Sequence, residues 1–204
     1  MKLLFATGNQ KKYLLMKERL KELKEIEVVI PKMMNINIDV VEDGLTPTEN
    51  AIKKAKEYYD VTKLPVIAED SGLYIDKFTD EEQPGLFVRR VNGKEDVSDE
   101  EILNHYIELL NRHGGESLAA YHTGVCLIDS EGNINNELIT ETKFLMTSKI
   151  SNTKTISGGV LDSISYDLNA KKYFCERSEE DKKNHYKALD SKYKQLVKKY
   201  ILKK

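Results

Sequence analysis

The sequence predicts an α/β fold, and three observations carry that prediction. A short apolar strand near the start passes through a small-residue turn into an amphipathic helix. A second helix, with strong start signals, runs on to another apolar strand at Val66-Ile67-Ala68. After Gly114-Gly115 the chain turns to long β-type segments broken by Ser130-Glu131-Gly132-Asn133. The 204 residues, 40% of them hydrophobic, are enough to bury a real core in one domain or two closely fused lobes.

The first strand, Leu3 to Ala6, leads into Thr7-Gly8-Asn9 and a helix whose Tyr13, Met16, Leu20 and Leu23 share a face. A strand, a small turn and a helix start aim backbone N–H groups at a bound anion, and Lys12 in the first helical turn adds a point charge suited to phosphate. The bland alternative is an ordinary turn followed by a surface lysine. The turn carries neither the dinucleotide glycine pattern nor the P-loop pattern. A second strand is expected at Val28-Val29-Ile30, closed by Pro31, and residues 32–41 read as loop or irregular strand.

Thr46 as N-cap, Pro47 at the first helical position and Glu49 completing a capping box predict a helix to about Tyr59, with Ala51, Ile52, Ala55 and Tyr58 inward. Glu49 is thereby given a structural job, whereas Glu42 has none. Lys54 lies off the apolar stripe. Val66-Ile67-Ala68 is then a buried strand that runs out at Glu69-Asp70-Ser71-Gly72, read as a turn before Leu73-Tyr74-Ile75. The residues alone leave two readings of this turn: a solvated strand end, or adjacent carboxylates offering oxygen ligands to a hard cation such as Mg²⁺.

Pro84-Gly85 marks a turn, with Arg89-Arg90 close behind it. Ser98 and Glu101 frame a capping box for a helix burying Ile102, Leu103, Tyr106, Leu109 and Leu110, which ends at Gly114-Gly115. Leu118 to Asp129 and Glu137 to Lys149 read as an antiparallel hairpin appended to the α/β part. His122 in its first strand has no second ligand-type residue at metal spacing and reads as a strand-surface histidine. Ser157-Gly158-Gly159 is the most flexible point of the second half; Lys172 to Cys175 is the expected last strand. Ser178 caps a terminal helix carrying Tyr186, Leu189, Tyr193, Leu196, Val197 and Tyr200 on one face, with His185 near its start.

Composition narrows the function classes. Lys+Arg 32 against Asp+Glu 34 leaves a formal charge of −2, no overall basic footprint for nucleic acid. Cys126 and Cys175 show no metal spacing and read as buried free thiols. No apolar run approaches the ~20 residues of a membrane span, and the chain starts directly on a strand without a signal-peptide pattern, which predicts no membrane partner and a cytoplasmic location.

Four motifs in order, Phe5-Ala6-Thr7-Gly8-Asn9 with Lys12, Glu42-Asp43-Gly44-Leu45-Thr46 with Glu49-Asn50-Ala51 and Lys54, Ala68-Glu69-Asp70-Ser71-Gly72-Leu73, and Pro84-Gly85, resemble those of the non-canonical purine nucleoside triphosphate pyrophosphatases, the inosine/xanthosine triphosphatase or Ham1-like family. The resemblance is strong over the first ninety residues and weaker beyond. It implies a single two-lobed α/β domain over residues 1–204, the second lobe mainly about 75–150, with a long mixed sheet flanked by helices, a central cleft and assembly as a homodimer. It implies that Thr7, Gly8, Asn9, Lys12, Lys54, Ser71 and Gly72 serve the triphosphate, that Glu42, Asp70 and Glu69 hold Mg²⁺, and that Asp70 also orients or deprotonates the attacking water. Glu69 stands where the family usually has Asp.

The second half departs from the family on the base side. Gly-Phe-Gly-Tyr-Asp-Pro is matched by Gly158-Gly159-Val160-Leu161-Asp162-Ser163, so Asp162 is kept while the stacking Phe is Gly159. Losing an aromatic platform forfeits roughly 1–3 kcal/mol of stacking per base. Ser-His-Arg is matched by Asn184-His185-Tyr186 with spacing shortened by one, and Ser-x-Arg by Val88 and a retained Arg90. Gly159, Asp162, His185 and Arg90 are the base-side candidates. The expected function is Mg²⁺-dependent hydrolysis of a nucleoside triphosphate to monophosphate and pyrophosphate; the alternative is a nucleotide-binding or regulatory protein of the same fold with catalysis lost or base specificity altered.

Overall fold

Leu3, Leu4 and Phe5 are wholly buried, as consecutive apolar residues must be when both faces of a strand are covered. In a computed structural model describing residues 1–94, 96–153 and 159–204, this run is β1 (Lys2–Phe5), parallel to β2 (Glu27–Val29) on one side and to β3 (Val66–Ile75) on the other. The registers are Leu4 opposite Val29 and Leu4 opposite Val66. Helix α1 (Gln10–Leu20) joins β1 to β2 and buries Tyr13, Met16 and Leu20; Leu23, expected on the same face, is buried just beyond the helix end. Residues 31–34 form a 3₁₀ turn within the stretch that reads as irregular. Helix α2 (Pro47–Thr62) follows, longer by one turn than its pattern suggests and ended by Lys63 in the left-handed region.

The largest departure from the sequence reading is β3. Glu69-Asp70-Ser71-Gly72 is not a turn but the interior of a ten-residue strand. Gly72 has a packing reason: a Cβ there would lie 2.9 Å from the carbonyl carbon of Gly85, which pairs with Leu73 through bonds of 2.9 and 3.0 Å. The small residue marks close approach of two backbones rather than a bend.

Helix α3 (Asp99–Arg112) has the expected capping box, Glu101 N–H donating to Ser98 Oγ at 3.2 Å and Ser98 N–H to Glu101 Oε2 at 2.8 Å. Two further readings need correction. β4 (Glu116–Ile128) does turn through residues 130–133 into a strand that pairs with it, but it is not appended: it lies beside β3, and the second expected strand is divided into β5 (Ile134–Thr140) and β6 (Phe144–Thr147), each pairing with β4. β7 (Ser165–Asp167) had no recognisable pattern at three residues, and β8 stops at Tyr173, so Cys175 lies half-buried in a 3₁₀ turn. Both cysteines are free. Helix α4 (Glu179–Leu196) is capped by Ser178, and its chain continues over Val197–Ile201 in a wider turn, Leu202 N–H reaching Val197 O at 3.0 Å. Among the described residues no helix is long and apolar enough to cross a membrane.

The chain divides into two units, one of Met1–Ser71, His122–Ile139 and Ala188–Lys204, the other of Gly72–Tyr121 and Thr140–Lys187. The first holds β2, β1, the opening of β3, the second half of β4, and β5, around a core that includes Leu4, Val29, Ala51, Ala55, Val66 and Cys126. The second holds the end of β3, the opening of β4, and β6, β7 and β8, all antiparallel from β4 onward, around Leu73, Ile75, Ile102, Tyr106, Phe144 and Ile164. The sheet is thus mixed, parallel at β2, β1 and β3 and antiparallel from β4 to β8.

Two features of the first unit are testable. A Cβ at Gly124 in β4 would lie 2.4 Å from Thr48 N and 2.5 Å from Pro47 C, backbone atoms of the α2 start that cannot give way. Gly124→Ala is expected to destabilise by about 1–3 kcal/mol and to lower the melting temperature by roughly 2–4 °C per kcal/mol; an unchanged thermal transition by circular dichroism counts against the close approach. In the β4–β5 turn, Asp129 accepts from the N–H groups of Glu131 and Asn133 and from Asn133 Nδ2, each at 2.9 Å. Burial opposes the carboxylate charge, but these donors and Lys203 outweigh it and hold the Asp129 carboxyl down at about 2. A folded value below the ordinary 3.8 means the contribution is complete above about pH 4 and lost as pH falls toward 2. The melting-temperature deficit of Asp129→Ala should therefore be full at pH 6 and shrink toward pH 2; a deficit independent of pH refutes the assignment.

Candidate functional site

β1 has β2 on one flank and β3 on the other, so the strand order reverses between β1 and β3. In open α/β sheets ligands gather outside the carboxyl ends of the parallel strands at such a reversal. Thr7-Gly8-Asn9 leaves β1 at that end. Asn9 N–H donates to Thr7 Oγ1 at 3.1 Å, and Asn9 Oδ1 accepts from Lys11 and Lys12 N–H at 2.9 and 3.2 Å. The side-chain oxygens of Thr7 and Asn9 therefore shape the turn and cap α1. The Gly8 N–H has no partner among the described residues. A Cβ at Gly8 would meet nothing within 4 Å, so the protein itself does not require glycine there.

On one side of β3, Asp70 faces the start of α2. Its Oδ2 accepts from Asn50 Nδ2 at 2.9 Å, and Asn50 Oδ1 accepts from Gly44 N–H at 2.7 Å. Asn50 is buried and ties the loop before α2 to the strand acid. Asp70 Oδ1 has no partner among the described residues. Glu42, half exposed, pairs through Oε2 with Lys54 Nζ at 2.8 Å, and Lys54 also donates to the main-chain oxygen of Glu69 at 3.3 Å. Glu49, expected to close a capping box on Thr46, instead accepts from Leu45 N–H at 2.7 Å, although its own N–H reaches Thr46 Oγ1 at 3.2 Å.

Neighbouring residues of a strand point to opposite faces, and Glu69 accordingly faces away from Asp70. It is buried; Oε1 lies 3.3 Å from Lys12 Nζ, and Oε2 accepts a hydrogen bond from Tyr193 of α4. Arg19 sits over the Tyr193 ring, 4.8 Å from its centroid, and donates to Asp190 Oδ1 at 2.7 Å. Glu42, Asp70 and Glu69 are thus not gathered as one ligand set, and among the described residues no three His, Cys, Asp or Glu side chains converge. Ser71 shares a hydrogen bond with Thr123 at 2.7 Å, while Gly72 is committed to Gly85 as described above.

The base-side candidates all fall in the second unit. Asp162 Oδ2 accepts from Gly159 N–H at 2.9 Å, closing a tight turn of its own; burial pushes its carboxyl above the usual range. Leu161, at the position of a family aromatic, belongs to the core. Gly158 lies outside the described residues. Arg90 stacks on Phe87, 3.7 Å from the ring centroid, beside a cavity of about 360 Å³ that Tyr106 and His105 also line. His185 is buried, its Nδ1 3.0 Å from Asp167 Oδ2, and the same oxygen takes Arg177 Nη1 at 3.3 Å. Burial first, and then the Arg177 charge, push the imidazole below its ordinary value against the pull of Asp167. Burial raises and then Ala170 N–H, His185, Asn169 N–H and Arg177 together lower the Asp167 carboxyl, with a net downward shift.

Sequence reading did not single out Asn50, Tyr193, Arg19, Asp167 or Arg177. Asn50 carried a signal: it lies on the stripe of Ala51, Ala55 and Tyr58, a polar side chain on a buried face. Tyr193 is visible only as one more apolar-face aromatic, because nothing local shows what its hydroxyl meets.

A sequence model of the Ham1 family matches residues 3–194. The chain is 33% identical over 136 residues to a dITP/XTP pyrophosphatase of Rhodopirellula baltica, covering 65% of this chain and 62% of that protein. It is 33% identical over 154 residues to a dITP/XTP pyrophosphatase of Aquifex aeolicus, covering 69% of this chain and 73% of that protein. The chain therefore spans a little under two thirds of the first relative and somewhat more of the second. A HAM1 protein from Coxiella burnetii has the same fold, with a TM-score of 0.74 at 24% identity, covering 96% of this chain and 99% of that one.

Asn50 offers a direct check on the geometry. Asn50→Ala strands a buried Gly44 N–H and removes the donor to Asp70, which is expected to destabilise by about 1–3 kcal/mol. Urea unfolding measures it, and an unchanged midpoint would show that the loop and strand are not joined there.

Proposed function

This chain belongs to the Ham1 family, and on that footing we propose that it hydrolyses a nucleoside triphosphate to the monophosphate and pyrophosphate, with Mg²⁺, the base being a non-canonical purine. The observation that supports this most is the placing of two lysines around one strand residue: Lys12 on the Glu69 side chain, Lys54 on the Glu69 carbonyl, with Asp70 next in sequence. A triphosphate carries several negative charges. The two ammonium groups and a backbone N–H at Gly8, ahead of a helix start, supply cationic charge and donors to neutralise them.

The donor chemistry fits Mg²⁺, which takes one or two carboxylates together with substrate phosphates and retained water rather than an all-protein cage. Glu42 and Asp70 would hold it; when bound it would neutralise phosphate charge and polarise phosphoryl oxygens. Asp70 Oδ1 accepts the proton of the attacking water. Oxygen of that water bonds to the α-phosphorus, the α–β bridging bond breaks, and pyrophosphate leaves. Asn50, by holding Oδ2, fixes which Asp70 oxygen faces the water. Ser71, bonded to Thr123, and the Thr7 turn shape the same region.

The base assignment takes its lead from the names of the two relatives, dITP/XTP pyrophosphatases. The second unit favours a competing reading on one point. Asp162 accepts within its own turn and Leu161 packs in the core, which supports a nucleotide-binding or regulatory protein of the same fold with catalysis lost or base specificity altered. A Mg²⁺-dependent assay of pyrophosphate release over dITP, ITP, XTP and the common triphosphates separates the two: turnover of a purine deoxy- or ribonucleotide is expected, whereas calorimetric binding without release of pyrophosphate supports the second. In the same assay Asp70→Asn should lower kcat by at least about 10²-fold, the low end of a positioned base, with nucleotide still bound. Undiminished turnover removes Asp70 from the chemistry.

A further inference from the structure

The first unit contains a buried acid whose job is not explained by metal binding. Glu69 faces away from Asp70, and both of its carboxylate oxygens are engaged, one by Lys12 Nζ at 3.3 Å and one by the Tyr193 hydroxyl. Its side chain is 9% exposed and that of Lys12 39%, so the ammonium spans from a buried anion toward solvent. Tyr193 is wholly buried, and Arg19 lies over its ring. We propose that Glu69 is an internal counter-anion that holds Lys12 in reserve against an incoming polyphosphate, and that Tyr193 is the positioning residue that sets how firmly Lys12 is held.

A carboxylate in contact with an ammonium partly cancels the field it presents to a second anion. Phosphate must therefore compete with Glu69 for Lys12. A buried carboxylate left without partners is strongly disfavoured, so the ease of that competition depends on what else satisfies Glu69. The Tyr193 hydroxyl is that other partner: it keeps one oxygen bonded while Lys12 turns outward. Removing the hydroxyl makes Glu69 depend on Lys12 more, and removing the charge releases Lys12 altogether. The two changes, made at the two ends of one hydrogen bond, act in opposite directions, which a purely structural contact does not do.

This inference rests on the reading of Lys12 as a phosphate ligand, and inorganic tripolyphosphate tests it without involving base, metal or turnover. Its binding to the full chain at low salt, measured by titration calorimetry, is expected to weaken about three- to tenfold in Tyr193→Phe and to tighten by a similar factor in Glu69→Gln, the size of a single charge-assisted contact. In the double variant the effect of Tyr193→Phe should vanish, because no charge remains for the hydroxyl to share. Equal affinity in wild type and Tyr193→Phe, or a shift of the same sign in both single variants, overturns the proposal. Lys12→Met separates the two levels: unchanged tripolyphosphate binding removes the phosphate role of Lys12, and with it this inference, whereas weakened binding alongside a silent Tyr193→Phe overturns the inference alone. If Glu69→Gln does not fold, Glu69→Asp, whose shorter arm withdraws the charge from Lys12, must tighten binding in its place.

Discussion

The alternation of side chains along β3 is the constraint on which the first unit's site depends. Because Val66–Ile75 is one uninterrupted strand, Glu69 and Asp70 face opposite ways. Asp70 therefore meets the loop and helix that carry Glu42, Asn50 and Lys54, and Glu69 meets α1 and α4. Two adjacent acids acquire separate surroundings and separate chemistry without any special backbone geometry. The carbonyl of Glu69 completes the arrangement, since a main-chain oxygen lies near the plane of the sheet and can take Lys54 while the side chain takes Lys12.

Burial decides how those acids are used. Glu69 tolerates its setting because a lysine and a phenol hold both oxygens, and Arg19 lies nearby over the same phenol. Asp70 keeps one oxygen unpartnered among the described residues, which is the condition a proton acceptor needs. In the second unit Asp167 collects Arg177 and His185 on a single oxygen, while its other oxygen accepts from Asn169 and Ala170 N–H at 3.0 and 3.1 Å. The carboxylate is thus engaged on both oxygens, while Arg177 Nε and His185 Nδ1, both buried, make no hydrogen bond among the described residues.

The legibility of the chain follows the range of the interactions. Capped helices were plain: Ser98 with Glu101, Thr46 with Pro47, and Ser178 each announce a start through bonds to residues three positions on. The strands beside them were legible where apolar runs were long, as in β1. They were misread where polar residues lie inside a strand, as at Glu69–Gly72, or where a strand is only three residues, as in β7. A Ser-Gly pair signals a turn by local chemistry, yet here Gly72 serves the approach of Gly85, from thirteen positions along the chain. Nothing within a short window reports such a partner.

By itself the sequence determined the α/β class, the helix starts, the family resemblance and the set of charged residues worth placing, because these depend on spacing and on contacts within a few residues. Only the tertiary structure decided how those charges are paired. It set Glu69 apart from Asp70, gave Asn50 and Tyr193 their partners, and committed Asp162 to its own turn. The reason is physical: a buried charge is defined by whatever packs against it, and for Glu69 that includes Tyr193, 124 positions away.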